Sequence, residues 1–194
     1  MWLEFLERGC DFLFDIESGQ WRGMTSLHQA AQNGHAGMVK LLLRKGCLRS
    51  LEARNVFRET SLLYCLLADI KDDIERSIES KQREKAAQEL ISSSTDLSTR
   101  DNLGRSNLHG ATYHGFRPIV AMLLERGFDV NDKGGAISTT RETTQSPYSF
   151  NSTPLHIAAE GLYPGVIQLL VDSGANVSSQ NHEGKSPLHY AILS

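Results

Sequence analysis

The stretch STPLHIAAEGLYPGVIQLLVDSGANV, residues 152–177, places a histidine directly behind Thr-Pro-Leu. Three other histidines also follow a leucine: His28 in TSLH, His109 in SNLH and His189 in SPLH. Histidine is the side chain most often recruited for proton transfer or metal binding near neutral pH, so the four raise a question of chemistry. Their surroundings answer it. His28 to Gly46, His109 to Gly127 and His156 to Gly174 are each eighteen residues apart. In each window small residues stand two and three places after the histidine: Ala30-Ala31, Ala111-Thr112 and Ala158-Ala159. Apolar clusters begin ten places after it, at Met38-Val39, Ile119-Val120 and Val166-Ile167. Thr153 to Ser186 is thirty-three residues, and a fixed period of that size marks a chain built from repeats.

Each unit predicts two short antiparallel helices. Thr or Ser opens the first, its hydroxyl placed to accept the orphan N–H groups of the first turn. Proline follows in TPLH and SPLH, where its fixed φ suits the first helical position. Small residues then let the paired helices approach. Gly34 and Gly115 mark the turn between helices, and Gly46, Gly127 and Gly174 end the second, where a left-handed cap favours a residue without Cβ.

TSLHQAAQNGHAGMVKLLLRKG, SNLHGATYHGFRPIVAMLLERGFDVN and the opening stretch resemble the ankyrin repeat, and the resemblance covers nearly the whole chain. It implies an all-α solenoid of stacked helix-turn-helix units with finger-like connectors. It also implies that the motif histidines are structural, each bonding the motif hydroxyl and nearby backbone. The pairs are Thr25 with His28, Ser106 with His109, Thr153 with His156, and Ser186 with His189. The expected organisation is one domain, 1–194. It comprises a partial repeat over 1–22, a repeat over 23–57, a degenerate one over 58–103, repeats over 104–151 and 152–183, and a truncated one over 184–194. WLEFLERGCDF reads as the second helix and cap of a preceding repeat, and GKSPLHYAILS stops inside a first helix, so a fragment of a longer array is expected.

Two departures stand out. ETSLLYCLLA matches the helix-opening motif with Leu63 in the histidine place, and Arg58 occupies a usual glycine place. Thr60 to Ser106 is forty-six residues, and the surplus falls near DIKDDIERSIESKQREKAAQELI. That stretch is helix-prone, with Ile70, Ile74 and Ile78 on one face. It predicts a lengthened or additional helix on the outer side of the repeat, with a partner-docking helix as the alternative. The second departure is DKGGAISTTRETTQSPYSFN, an insertion after Val130 too poor in apolar residues to fix itself by burial. Its Ser146-Pro147 and threonines could accept phosphate, and Tyr148 and Phe150 are its contact-forming members.

A formal charge of −3 leaves no basic excess to neutralise phosphates, which disfavours nucleic acid as a partner. Three cysteines, Cys10, Cys47 and Cys65, form no C-x-x-C pair and fit reduced thiols of an intracellular protein, cytoplasmic or nuclear. Neither a signal peptide nor an apolar run long enough to cross a bilayer is present, so membrane insertion is not expected. Phosphate loops, nucleophile elbows and zinc-protease motifs are absent from the sequence. His109 and His114 stand five apart, a poor match to helical ligand spacing, and Cys65 takes the place of a small core residue. No catalytic residue, metal site or cofactor is expected.

The resemblance implies instead a binding surface of finger tips and inner-helix positions. The fingers offer Trp21, Arg22, Met24, Arg105 and Phe150; the inner helices offer Gln32, Asn33, Tyr113, His114 and Glu160. Trp21, Arg22, Arg105 and Tyr113 belong to the residue types most often found as hot spots. The expected function is a non-enzymatic scaffold recognising another protein through its groove and fingers, with no oligomer implied. The alternative is the regulatory or targeting arm of a larger signalling, ubiquitin-ligase-adaptor or immune-receptor-type protein. LLERGFDVN also resembles the pattern that ankyrin-type substrates of an asparaginyl hydroxylase carry, which makes Asn131 a candidate modification site. The plainer reading is that Asn131 closes the finger turn.

Overall fold

A computed structural model describes residues 23–46, 50–67, 76–94, 96–134 and 151–193, the side chains of 76–79 and 193 excepted. The expectations for Trp21, Arg22, Ile70, Ile74, Ser146, Tyr148 and Phe150, for the partial repeat over 1–22 and for the side chain of Ile78 lie outside the described residues.

The described residues are helical, with two isolated β-bridges, Arg100 with Ser106 and Gly134 with Ser152. Contacts divide the chain into two units, Met1–Thr99 and Arg100–Ser194. In the first, α1 (Ser26–Gln32) and α2 (Ala36–Arg44) form one pair, and α3 (Ser61–Leu67) and α4 (Arg76–Ser93) the next. The second unit repeats the pattern with α5 (Asn107–Tyr113) and α6 (Arg117–Glu125), then α7 (Pro154–Glu160) and α8 (Pro164–Asp172), followed by α9 (Pro187–Leu193). Within each unit first helices stack on first helices and second helices on second, α1 on α3, α2 on α4, α5 on α7, α6 on α8 and α7 on α9.

Seven-residue helices are too short to be stable alone, so their stability comes from the face they bury. Leu27, Ala30 and Ala31 line that face in α1, Leu108 and Ala111 in α5, and Leu155, Ala158 and Ala159 in α7, all buried. The second helices contribute Val39 and Leu42, then Ile119, Val120 and Leu123, then Val166 and Leu170. The surplus residues before Ser106 extend a second helix: α4 runs eighteen residues and starts about two turns before the place where α8 begins. Its Ala86, Ala87, Leu90 and Ile91 are buried, and it packs on α2 and α3.

One backbone position explains a sequence irregularity. Gly23, Gly104 and Gly184, two residues before the motif Thr or Ser, have φ of 77°, 72° and 73°. Arg58 and Asn151 occupy the same place with φ of 64° and 63°. The turn therefore forms without glycine. For arginine the left-handed conformation costs about 1–2 kcal/mol, whereas asparagine visits it routinely.

Candidate functional site

Three of the motif histidines, His28, His109 and His156, are joints between successive helix pairs, while His189 bonds its own Ser186, with Nδ1 2.8 Å from Oγ. In the first, the ring nitrogen Nδ1 of His28 lies 2.8 Å from Thr25 Oγ1 and accepts the Thr25 backbone N–H at 3.2 Å. Thr25 Oγ1 in turn accepts the His28 N–H at 3.3 Å, closing a capping box at the start of α1. Because Nδ1 is an acceptor, the ring proton resides on Nε2, which donates to the Glu59 carbonyl at 3.1 Å. His109 repeats the arrangement with Ser106 Oγ at 2.7 Å and the Ser152 carbonyl at 3.3 Å. His156 repeats it with Thr153 Oγ1 at 2.8 Å and the Lys185 carbonyl at 3.0 Å. Each ring thus starts one helix and holds the finger that precedes the next.

Burial shapes their chemistry. Desolvation holds the imidazoles of His28, His109 and His156 below the ordinary histidine range, so they stay neutral at pH 7. A neutral ring with both nitrogens bonded has neither a free lone pair for a metal nor a proton to trade. The rings serve different fingers, and among the described residues no group of three or more His, Cys, Asp or Glu could hold a metal ion. Burial likewise pushes the Cys65 thiol up to about 12, which leaves it unreactive.

Around His109 there is an addition that sequence reasoning missed. Asp132 accepts from Ser106 Oγ at 2.9 Å and pairs with Arg100 at 2.6 Å. Arg100 also donates to the Gly104 carbonyl at 2.8 Å. The signal in the sequence was Asp132 directly behind the Asp-Val-Asn of the finger, but nothing local ties it to a histidine twenty-three residues earlier.

The candidate partner-binding residues separate into distinct groups. Met24 is a correction: it is 2% exposed, because the residue after the left-handed Gly23 turns inward, and Asn55 Nδ2 packs on its sulfur at 3.8 Å. Arg105 is on the finger, but its guanidinium braces Asp101, with Nε and Nη2 each 2.6 Å from Oδ2. Gln32 and Asn33 line a polar cleft of about 320 Å³ with His35, Gln82 and Arg83. Tyr113 and His114 are half-exposed at the end of α5, with their rings edge to face at 4.9 Å, and His114 stacks on the buried Phe116 at 5.3 Å. Glu160 is half-exposed at the equivalent place in α7; burial pushes its carboxyl up against the pull of Lys185. Asn131 bonds at both ends of its amide: Nδ2 donates to the Gly174 carbonyl at 3.3 Å, and Oδ1 accepts the Asn176 N–H at 2.7 Å.

The family description "Ankyrin repeat" matches residues 22–56, and "Ankyrin repeats (3 copies)" matches residues 137–194. The chain is an ankyrin-repeat protein. Human Inversin is 29% identical over 189 residues, covering 86% of this chain and 16% of that protein. Human Rabankyrin-5 is 36% identical over 89 residues, 45% of this chain and 7% of its own length. Alpha-latrotoxin-Lt1a of Latrodectus tredecimguttatus is 33% identical over 104 residues, 53% of this chain and 6% of the toxin. The ankyrin-repeat chain therefore spans less than a fifth of these relatives. Ankyrin repeats generally mediate protein–protein interaction. Among the described residues no helix is long and apolar enough to cross a membrane.

Proposed function

We propose that this chain is a non-enzymatic interaction module that binds a partner protein through its inner-helix positions and finger tips. The observation that carries this reading is the pair of equivalent positions at the ends of α5 and α7. There Tyr113 and His114 present half-exposed rings, and Glu160 a partly desolvated carboxylate, where the motif histidines are already committed to the fold. Aromatic side chains held by packing give contact area at little entropic cost, which is what hot spots require. Gln32, Asn33 and Arg105 extend the surface in this reading, as do Trp21, Arg22 and Phe150, and the repeat boundaries are those set out from the sequence. The partner is an intracellular protein, and neither a nucleic acid nor an oligomer is part of the proposal.

The test is affinity capture from a lysate of the source organism with the full chain as bait. A parallel bait carries Tyr113→Ala, His114→Ala and Glu160→Gln, with its melting temperature checked first. A protein retained by the first bait and lost by the second supports the reading. Equal retention on both moves the function away from these positions.

A second reading, that the chain is the regulatory or targeting arm of a larger protein, is favoured by the 6–16% of their own length over which the relatives match. Sequencing the full-length transcript tests it: an open reading frame with a further domain supports the arm, and one of ankyrin repeats alone removes it.

A further inference from the structure

On the outer side of the second unit the space between α6 and α8 is an open groove of about 510 Å³. Ala121, Leu124, Phe128 and Leu169 make its apolar surface, and the exposed carboxylates of Glu125 and Asp129 stand at its margin. The first unit differs at two steps of its second helices, and the register shows how. Val39 in α2 and Val120 in α6 are buried at the same step, which puts Lys40 where the second unit has Ala121. Leu90 in α4 and Leu170 in α8 are likewise equivalent, which puts Glu89 where the second unit has Leu169. In the first unit Lys40 Nζ meets Glu89 Oε1 at 3.1 Å across the two helices. In the second, an alanine and a leucine replace this ion pair, and the two long side chains that would span the gap are gone.

We propose that this groove docks a segment of a partner protein carrying an apolar side chain next to a lysine or arginine. The apolar surface selects the first element, since an alkyl or aromatic side chain entering it removes apolar area from water on both sides. The margin selects the second. Among the described residues two carboxylates and no lysine or arginine line the groove, so a basic neighbour is attracted and an acidic one repelled. Asp129 keeps its place through its own turn, with Oδ1 accepting the Asn131 N–H at 2.9 Å, so its charge is positioned before a partner arrives. The surface is built from second helices and is independent of Tyr113, His114 and Glu160 on the first helices.

The test uses the full chain labelled with nitrogen-15 and two peptides of the same length. One is acetyl-Ser-Leu-Arg-Phe-Lys-Ser-amide; the other has glutamate at both basic places. Saturable amide shifts confined to residues 121–130 and 169–173 are expected with the basic peptide and not with the acidic one. Ala121→Lys with Leu169→Glu rebuilds the ion pair of the first unit and should weaken binding roughly tenfold or more. Glu125→Gln with Asp129→Asn leaves the apolar surface intact and should weaken it by roughly three- to tenfold. Tyr113→Ala with Glu160→Gln should leave it unchanged, which keeps this result distinct from that of the lysate capture. Several results overturn the proposal: no saturable shift, equal response to the acidic peptide, shifts elsewhere, or binding that survives the rebuilt ion pair. Concentration-dependent shifts at the same amides without peptide, together with a doubled sedimenting mass, would make a second copy the occupant and overturn it as well.

Discussion

Two fingers of the second unit share the bonds at their bases and differ in one side chain. The finger at 181–185 closes on itself: Asn181 Oδ1 accepts the N–H groups of Glu183 and Lys185, both at 3.0 Å, and its backbone N–H donates to the Lys185 carbonyl. The finger that carries residues 135–150 has Gly134 in the place of Asn181, which brings no side chain of its own to the turn. Its base is held by backbone, Gly134 N–H to the Ser152 carbonyl at 3.1 Å and Asn151 N–H to the Gly134 carbonyl at 2.8 Å. The glycine is needed for a second reason, since a Cβ there would come within 2.7 Å of His109 Nε2. Both bases receive a histidine of the preceding helix pair, His156 on the Lys185 carbonyl and His109 on the Ser152 carbonyl, and the finger at 181–185 adds its own Asn181.

That contrast can be broken. His109→Ala removes a side chain that holds the inserted finger's base from below and strands the Ser152 carbonyl. It should cost about 2–4 kcal/mol in a denaturant melt, against about 1–3 kcal/mol for His156→Ala, whose finger keeps its asparagine. Equal losses would show that Asn181 adds nothing. Gly134→Ala should cost about 1–3 kcal/mol by overpacking against the imidazole. In the double variant with His109→Ala the two losses should fall short of their sum, because the clash disappears with the ring. Asn181→Ala should cost about 1–2 kcal/mol by leaving two turn N–H groups without their acceptor; a loss near zero would mean that solvent replaces the carboxamide.

The smallest effect is electrostatic. Burial lowers the folded-state pKa of His109 below its ordinary value near 6.5, and Asp132 opposes that shift. A base with a depressed folded pKa contributes stability that is fully present above the unfolded value and is lost as pH falls through the folded one. Asp132→Asn should therefore lower the imidazole titration midpoint of His109 and deepen the loss of stability below pH about 6.5. The midpoint of His28 should not move. A His109 midpoint unchanged by Asp132→Asn would remove Asp132 from the account.

Much of this was legible in the chain. The Thr/Ser-x-x-His spacing phases each first helix, because a capping hydroxyl and the ring that bonds it must be one turn apart. The glycines eighteen residues on mark where each second helix stops. The surplus before Ser106 reads as helix because its composition is helical, and its charge pattern is compatible with a lengthened outer helix. What escaped the sequence is tertiary. Met24 looked like a finger-tip residue because its burial depends on the left-handed φ of Gly23 and on Asn55 arriving above it. Arg105 looked free because its commitment to Asp101 is a matter of rotamer. The carbonyls that receive the histidine Nε2 protons lie 29–43 residues downstream, where no periodicity points to them. Lys40 and Glu89 are ordinary surface charges until α2 and α4 lie side by side.

The buried thiol of Cys65 makes the first unit its own timekeeper. With Cys10 and Cys47 replaced by serine, a thiol reagent can reach the sulfur only during the moments when α3 and α4 part. Labelling that is slow and independent of reagent concentration would give the opening rate directly, and labelling that scales with reagent would give the fraction of time spent open. The same number sets how often a cellular protease finds that segment of the chain, so a residue with no chemistry of its own gauges the lifetime of the repeat that hides it.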